Sequence, residues 1–229
     1  NRSGVRAIIS GRRLVGVLGA WSIFVSVALL GCSSPESFEG TELSSKAPAA
    51  SFQLQNQFDL PVSLSDHTGK VVLLTFLYTN CPDICPIVAG NLRDVHLVLG
   101  DDVGDVALVA VSVDPERDSV QSAYAYSEKW QMTHKWDFLV GTKEELSDIW
   151  KAYYLDPMVD DHPSNDKVQV QGDQQRGAVG ALQQRDSERY LVSHSAPVYL
   201  IDREGLMQVV FTLPFEPEAM AHDVRLLLR

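Results

Sequence analysis

Cys81 and Cys85 are the residues whose type and spacing most directly suggest chemistry in this 229-residue chain. The chain has three cysteines, and the third, Cys32, lies in a different context near the amino terminus. A disulfide between residues so close in sequence restricts the unfolded chain very little, so it is a poor structural staple for a domain of this size. The pair is therefore predicted to bind a metal ion or to exchange disulfides with a partner.

Both cysteines lie where a buried apolar strand is predicted to give way to a helix. The helix is predicted to run from about 82 to 99, with Thr79 or Asn80 as its cap and Pro82 in its first turn. The spacing of the cysteines is about one helical turn, so both sulfurs are expected on one face of that turn. The free N–H groups and partial positive charge at a helix start favour thiolate over thiol.

His194 is the further candidate ligand, in a loop just before a predicted strand. Thiolates favour a soft ion such as Cu(I), whereas zinc is usually held by four ligands in a closed site. Two sulfurs and one imidazole form a trigonal set that suits Cu(I) and can hold Cu(II) with a further weak ligand. The alternative interpretation is a redox-active dithiol, with His194 as a nearby structural or acid–base residue.

The rest of the pattern alternates strands and helices and then ends in an antiparallel hairpin and a helix. The predicted strands are 70–78, 106–113, 136–140, 198–201 and 207–213, and the predicted helices are 82–99, 119–131, 142–154 and 216–228. This order favours a mixed sheet with helices on both faces, and the thioredoxin fold is the smallest common architecture that has it. In that fold the loop with His194 comes close to the cysteine-bearing helix. The polar residues 156–189 are predicted to be an insertion in the form of a loop or hairpin.

The first 31 residues have the pattern of a secretory signal peptide, with arginines before an uncharged apolar run at 14–30. The sequence Leu29-Leu30-Gly31-Cys32 resembles a bacterial lipobox, in which the cysteine is acylated, and a plain amino-terminal membrane anchor is the alternative. Residues 32–50 are predicted to be the lipidated cysteine and a flexible tether, and residues 51–229 the folded domain. Either anchor would hold the domain at the outer face of the cytoplasmic membrane.

Acidic residues dominate the charge balance, with 30 Asp and Glu against 19 Lys and Arg and a net charge of −11. Such a surface repels nucleic acid and anionic lipid and favours cationic partners. Within this acidic chain, the run from Asp114 to Asp118 is interpreted as a capped polar loop in preference to a brace for the rim of the site.

The segment from Tyr78 to Pro86 (Tyr-Thr-Asn-Cys-Pro-Asp-Ile-Cys-Pro) resembles the signature of the Sco/SenC family. The runs 111–118 and 199–202, and Gly69-Lys70 before the first strand, resemble that family as well. The resemblance covers about residues 50–229, and the cysteine motif is highly specific. It implies a thioredoxin-like domain at the outer face of a respiratory membrane.

The resemblance also implies that the protein binds copper and helps to assemble the binuclear copper site of cytochrome c oxidase. The ligands of the family match Cys81, Cys85 and His194. The family more often has Asp before the histidine, where this chain has Ser193. The implied partners are the copper-bearing subunit of the oxidase, other copper chaperones and thioredoxin-like reductants.

A thiol–disulfide oxidoreductase that reduces cysteines of an oxidase subunit or another exported protein is the alternative function. The two roles are compatible, because copper binding requires the reduced pair and oxidation would switch the site off. A peroxidase on the same fold is disfavoured, because peroxiredoxins have Thr or Ser three residues before the reactive cysteine, where this chain has Tyr78 or Pro82. The sequence therefore predicts a metallochaperone with a redox-active dithiol rather than a conventional enzyme.

Overall fold

The computed structural model describes residues 36–160, 191–193 and 196–229. The chain divides into a unit of residues 1–37 and a unit of residues 38–229, and the fold given below is that of the second unit. The predicted leader, Cys32 and His194 lie outside the described residues. In the described ranges there is no helix with the length and apolar character needed to cross a membrane.

A central sheet of six strands and two separate strand pairs make up the β-structure of the described residues. The strands are β1 (Thr41–Glu42), β2 (Gln53–Gln55), β3 (Pro61–Ser63), β4 (Val71–Leu77), β5 (Val106–Ser112), β6 (Asp137–Leu139), β7 (Met158–Asp160), β8 (Leu191–Ser193), β9 (Val198–Ile201) and β10 (Met207–Phe211). The α-helices are α1 (Ile84–Leu99), α2 (Val120–Lys129), α3 (Lys143–Ala152) and α4 (Pro217–Leu227), and the short 3-10 helices are Leu64–His67 and Gly100–Asp105.

The central sheet has the strand order β1-β10-β9-β4-β5-β6, in which β4, β5 and β6 are parallel and the other pairings are antiparallel. Every residue of β4 and β5 is buried, as expected for continuous β-prone apolar runs at the centre of a sheet. Helices flank the sheet, which confirms the prediction of a thioredoxin-like α/β fold. The carboxyl ends of β4 and β5 meet at one edge, and the cysteine loop leaves from there.

The segment before residue 51 is ordered further towards the amino terminus than the sequence predicts. Thr41 and Glu42 pair with β10, and Pro48 forms a bridge with Leu206. The buried carboxylate of Asp223 on α4 also accepts hydrogen bonds from the backbone N–H groups of residues 39 and 40. The predicted tether boundary at residue 50 is therefore too late, because a two-residue edge strand in a polar segment gives little sequence signal.

The base of the predicted insertion is a two-stranded antiparallel pair. Strand β7 pairs with β8 in the register Met158 to Ser193 and Asp160 to Leu191. This pairing closes the base of the predicted insertion, and residues 161–190 lie outside the described residues.

Candidate metal centre

Cys81 lies in a turn between the end of β4 and the start of α1. The N–H of Cys81 donates to the carbonyl oxygen of Tyr78 at 3.3 Å. The helix begins at Ile84 with Asp83 as its N-cap residue, and the side chain of Asp83 makes no capping hydrogen bond. The prediction that α1 begins at Pro82 is therefore wrong by two residues, and only Cys85 lies within the helix. Pro82 disfavours a helical backbone at the residue before it, which accounts for the non-helical turn at Cys81.

The two sulfur atoms are nevertheless brought together, because the sulfur of Cys81 takes over the role of a helix cap. The backbone N–H of Cys85 donates to the Sγ atom of Cys81 at 3.4 Å. The first N–H groups of a helix have no carbonyl partner within the helix, so they are free to stabilise an anion placed before it. Cys81 and Cys85 are thiols rather than a disulfide in this structure.

The environment of Cys81 favours its thiolate. The hydrogen bond from the side chain of Cys85 lowers the pKa of Cys81 to about 6, and hydrogen bonds from the backbone of Asp83 and Cys85 and from the side chain of Tyr78 also lower it. Partial burial opposes these contributions. Cys81 is therefore the member of the pair that ionises first, and it is the nucleophile and the first sulfur donor.

The environment of Cys85 favours its protonated form. Complete burial raises the pKa of Cys85, and the hydrogen bond to Cys81 and the charge of Cys81 raise it further. A hydrogen bond from the backbone of Tyr78 opposes the increase. Above about pH 6 the pair thus holds one proton on the buried sulfur, and a metal ion that binds both sulfurs must displace that proton.

Asp118 connects the cysteine turn to the neighbouring strand β5. Its Oδ1 atom accepts hydrogen bonds from the backbone N–H of Thr79 at 3.1 Å and from Thr79 Oγ1 at 2.6 Å. Its Oδ2 atom accepts a hydrogen bond from Ser112 Oγ at 2.6 Å. Burial raises the pKa of Asp118 to about 6, although the hydrogen bonds from Ser112 and Thr79 oppose that increase.

The interpretation of residues 114–118 as only a capped polar loop is therefore wrong for Asp118. Its side chain is only 8% exposed and braces the cysteine turn. Asp118 lies in the loop that follows β5, a strand parallel to β4, and this position was the available signal, because the carboxyl ends of parallel strands meet at one edge of the sheet.

Two aromatic side chains, those of Tyr78 and Tyr126, lie near the dithiol. The guanidinium carbon of Arg117 lies 5.6 Å from the centre of the Tyr78 ring, and Arg117 also pairs with Asp114. Tyr126 of α2 is buried, and its hydroxyl has no hydrogen-bond partner among the described residues. Burial raises the pKa of Tyr126, as do the charges of Cys85, Cys81 and Asp118 in that order. No pattern in the sequence points to Tyr126, because a buried tyrosine on an amphipathic helix resembles any core residue.

The described residues supply two sulfur donors to a metal ion. No cluster of three or more metal-ligating side chains occurs within residues 36–160, 191–193 and 196–229. The third predicted ligand, His194, lies outside that part of the chain. Close to it in sequence, the carbonyl oxygen of Pro197 accepts a hydrogen bond from Thr75 Oγ1 at 2.9 Å, and Val198 lies opposite Thr75. Strand β9 thus begins at the same end of β4 as the cysteine turn.

Comparison with known proteins gives the same family in sequence and structure. The family model described as SCO1/SenC matches residues 41–229. The SCO1 protein homolog of Bacillus subtilis (strain 168) is 35% identical over 91 residues, which are 39% of this chain and 47% of that protein. The copper-bound structure of Bradyrhizobium japonicum ScoI has a TM-score of 0.62 and 27% identity, and the match covers 80% of this chain and 100% of that one.

The fold alone is shared with BsSco, a member of the Sco family of cytochrome c oxidase assembly proteins in which a disulfide switch is identified. The TM-score is 0.57 at 22% identity, over 81% of this chain and 98% of that one. The matches cover between 47% and 65% of the length of three curated relatives.

Proposed function

The chain belongs to the SCO1/SenC family, and on that premise we propose that it is an extracytoplasmic copper metallochaperone. Members of this family act in the copper assembly of cytochrome c oxidase. Copper is the cargo of the proposed reaction, which the protein binds, holds and passes to the copper-bearing subunit of the oxidase. The anchor is Cys32 or the apolar segment before it, and it holds the domain at the outer face of the membrane.

The asymmetric dithiol is the observation that carries this proposal. Cys81 supplies a thiolate near neutral pH, and Cys85 is held beside it by the hydrogen bond from its N–H to Cys81 Sγ. A pair of soft sulfur donors favours Cu(I) over harder ions. Complete burial of Cys85 also removes water from one side of the site, which favours a low coordination number.

His194 is the proposed third ligand. Two observations support this role: β9 begins opposite Thr75, near the carboxyl end of β4, and the same end of β4 leads into the cysteine turn. An imidazole added to two sulfurs completes a trigonal donor set for Cu(I).

Oxidation of the dithiol is the proposed gate for copper binding. When Cys81 and Cys85 form a disulfide, the pair loses two electrons together with the proton on Cys85, and neither sulfur remains a thiolate ligand. A thioredoxin-like reductant that returns the two electrons, with one proton for Cys85, would restore the site. Copper loading is therefore confined to the reduced protein.

A spectroscopic experiment tests the proposal. Addition of Cu(II) to the reduced full-length chain is expected to produce a sulfur-to-copper charge-transfer band, and addition to the oxidised chain is expected to produce none. Equal spectra for the two forms would contradict a dithiol copper site. The Asp202→Ala variant, which leaves the cysteine turn intact, is the control for nonspecific copper binding.

Thiol–disulfide exchange is a second candidate function, and the unequal environments of the two sulfurs favour it. The thiolate of Cys81 would attack a disulfide of the partner and release one partner thiolate. Cys85 would then lose its proton and attack the sulfur of Cys81, which forms the internal disulfide and releases the second partner thiolate. An assay of the reduced chain with a protein disulfide as substrate separates the two functions. If the chain does not reduce the disulfide but binds copper tightly, only the chaperone function is supported.

A further inference from the structure

We propose that Asp118 is a positioning residue for the Cys81–Cys85 pair, because its buried carboxylate fixes the turn whose residues contact both sulfurs. It does not touch either sulfur itself and acts through Thr79. This inference rests on the proposed function only where copper binding is measured, since the redox equilibrium of the pair can be measured without copper.

The carboxylate of Asp118 connects its own loop to two other parts of the chain, the turn before Cys81 and the end of β5. Its Oδ1 atom holds both the backbone N–H and the hydroxyl of Thr79, which lies 39 positions earlier. Its Oδ2 atom holds Ser112 at the end of β5, and Ser112 Oγ in turn accepts the backbone N–H of Asp114 at 3.1 Å. The turn before Cys81 is thereby tied to the end of the neighbouring strand.

Tyr78, the neighbour of Thr79, transmits this constraint to the sulfurs. Its carbonyl oxygen accepts the N–H of Cys81 at 3.3 Å. Its side chain forms a hydrogen bond with the sulfur of Cys81, and its backbone forms one with the sulfur of Cys85. A displacement of the backbone at Thr79 would therefore disturb hydrogen bonds to both members of the pair.

The chemistry of the carboxylate explains why an acidic residue occupies this buried position. A carboxylate accepts several hydrogen bonds and donates none, so it can satisfy two donors of Thr79 and one of Ser112 at once. Burial of a charge is costly unless such donors compensate for it. Loss of the carboxylate would leave the partly buried N–H of Thr79 without its acceptor and would release the turn.

A pair of substitutions separates the hydrogen bonds of Asp118 from its charge. Asp118→Ala removes both. Asp118→Asn removes the charge but retains an amide oxygen that can accept both donors of Thr79, while its NH₂ group donates to Ser112 Oγ. Because charge loss acts alike in the two variants, the difference between them reports the positioning role alone.

The dithiol–disulfide equilibrium against glutathione is the primary measurement. In this reaction the reduced pair gives two electrons and the proton of Cys85 to oxidised glutathione, which takes a second proton from solvent and becomes two molecules of reduced glutathione. Hydrogen bonds to the Cys81 thiolate stabilise the reduced form, so their loss favours the disulfide. We expect Asp118→Ala to shift the equilibrium constant about tenfold towards the disulfide, which is about 30 mV for a two-electron couple. Asp118→Asn is expected to stay within about threefold of the wild type, on the same scale.

Asp202→Ala is the matched control. Asp202 is another buried carboxylate that accepts three hydrogen bonds, but it holds the turn between β9 and β10. This variant is expected to have the wild-type equilibrium constant even if it is less stable. An unchanged equilibrium in Asp118→Ala, or equal shifts in Asp118→Ala and Asp118→Asn, would overturn the positioning role.

Thr79→Val provides a second variant in case Asp118→Ala does not fold. It removes the hydroxyl that donates to Asp118 and keeps the backbone N–H, so a smaller shift in the same direction is expected, and no shift would overturn the proposal. Copper titration of the same reduced variants distinguishes the two proposals. A wild-type chain that binds no copper contradicts the proposed function alone, whereas copper binding of wild-type strength in Asp118→Ala contradicts the role of Asp118.

Discussion

Asp118 and Asp202 hold turns at opposite ends of the same sheet, and they do so in different ways. Asp118 fixes the turn after the carboxyl end of β4, whereas Asp202 follows β9 beside the amino end of β4. Both side chains are buried, at 8% and 9% exposure, and both accept three hydrogen bonds.

The difference lies in how far along the chain each carboxylate reaches. Asp202 accepts hydrogen bonds from residues two, four and six positions later, so it stabilises its own hairpin. Asp118 reaches Thr79 in another element, directly before the cysteines. The comparison indicates that a local carboxylate contributes stability, whereas a long-range carboxylate at the edge of parallel strands sets the geometry of a site.

The largest effect is expected at the turn that contains Cys81 and Cys85. Cys85→Ser replaces a soft sulfur donor by a hydroxyl that stays protonated. Loss of a residue that only supports a metal ligand already lowers the metal affinity about 10- to 100-fold, and loss of the ligand itself should cost at least as much. We therefore expect the Cu(I) affinity of the reduced chain to fall about 100-fold or more. Competition with a Cu(I) chelator measures it. If the variant and Asp202→Ala bind copper equally well, the assignment of Cys85 as a ligand is wrong.

The second largest effect is expected at Asp202, at the opposite end of the sheet. Asp202→Ala leaves the backbone N–H groups of Glu204 and Leu206 without their acceptor, which costs about 2 kcal/mol in the free energy of unfolding. Urea unfolding gives this value, and the glutathione equilibrium gives the redox property. A changed dithiol equilibrium in this variant would remove the distinction between the two ends.

The pH dependence of alkylation tests the unequal ionisation of Cys81 and Cys85. The thiolate reacts and the thiol does not, so the rate at Cys81 is expected to rise about tenfold from pH 5 to pH 7, with a midpoint at about pH 6. Because burial raises the pKa of Cys85, that residue is expected to remain unmodified over the same range. Mass spectrometry after iodoacetamide treatment identifies the modified residue. Equal labelling of both cysteines would contradict the assigned roles.

The smallest effect is expected at a site remote from both aspartates. Thr142 caps α3, because its hydroxyl oxygen accepts a hydrogen bond from the N–H of Glu145, and the carboxylate of Glu145 accepts one from the N–H of Thr142. Thr142→Ala should lower the free energy of unfolding by about 1 kcal/mol and leave the dithiol equilibrium unchanged. Thermal unfolding measures the first quantity. A redox shift here would show that the dithiol responds to any loss of stability rather than to its own turn.

Local patterns in the sequence were sufficient for the main elements and for the two cysteines. The apolar runs at 71–77 and 106–112 predicted both central strands within a residue of their observed ends, because full burial requires an unbroken apolar run. The antiparallel hairpin of strands 198–201 and 207–213 was also predicted, since the hydrogen bonds of its turn at Asp202 are local.

Features that depend on distant residues were missed. The pairing of Thr41 and Glu42 with β10 and the brace from Asp118 to Thr79 connect residues far apart in sequence. No local pattern encodes the first contact, and the second is indicated only by the position of Asp118 after a strand parallel to β4. The start of α1 was predicted too early, because the sequence does not show that the sulfur of Cys81, rather than a side-chain oxygen, accepts a hydrogen bond from the first turn.

The most direct test of the proposed function is a Cu(I) titration of the reduced full-length chain beside its His194→Ala variant. We expect the wild-type chain to bind a single copper ion. We expect His194→Ala to weaken the affinity by about tenfold or more, because loss of a ligand costs at least as much as loss of a residue that supports one. Failure of the reduced wild-type chain to bind copper would contradict the account, and equal affinities in the two proteins would contradict the three-ligand site.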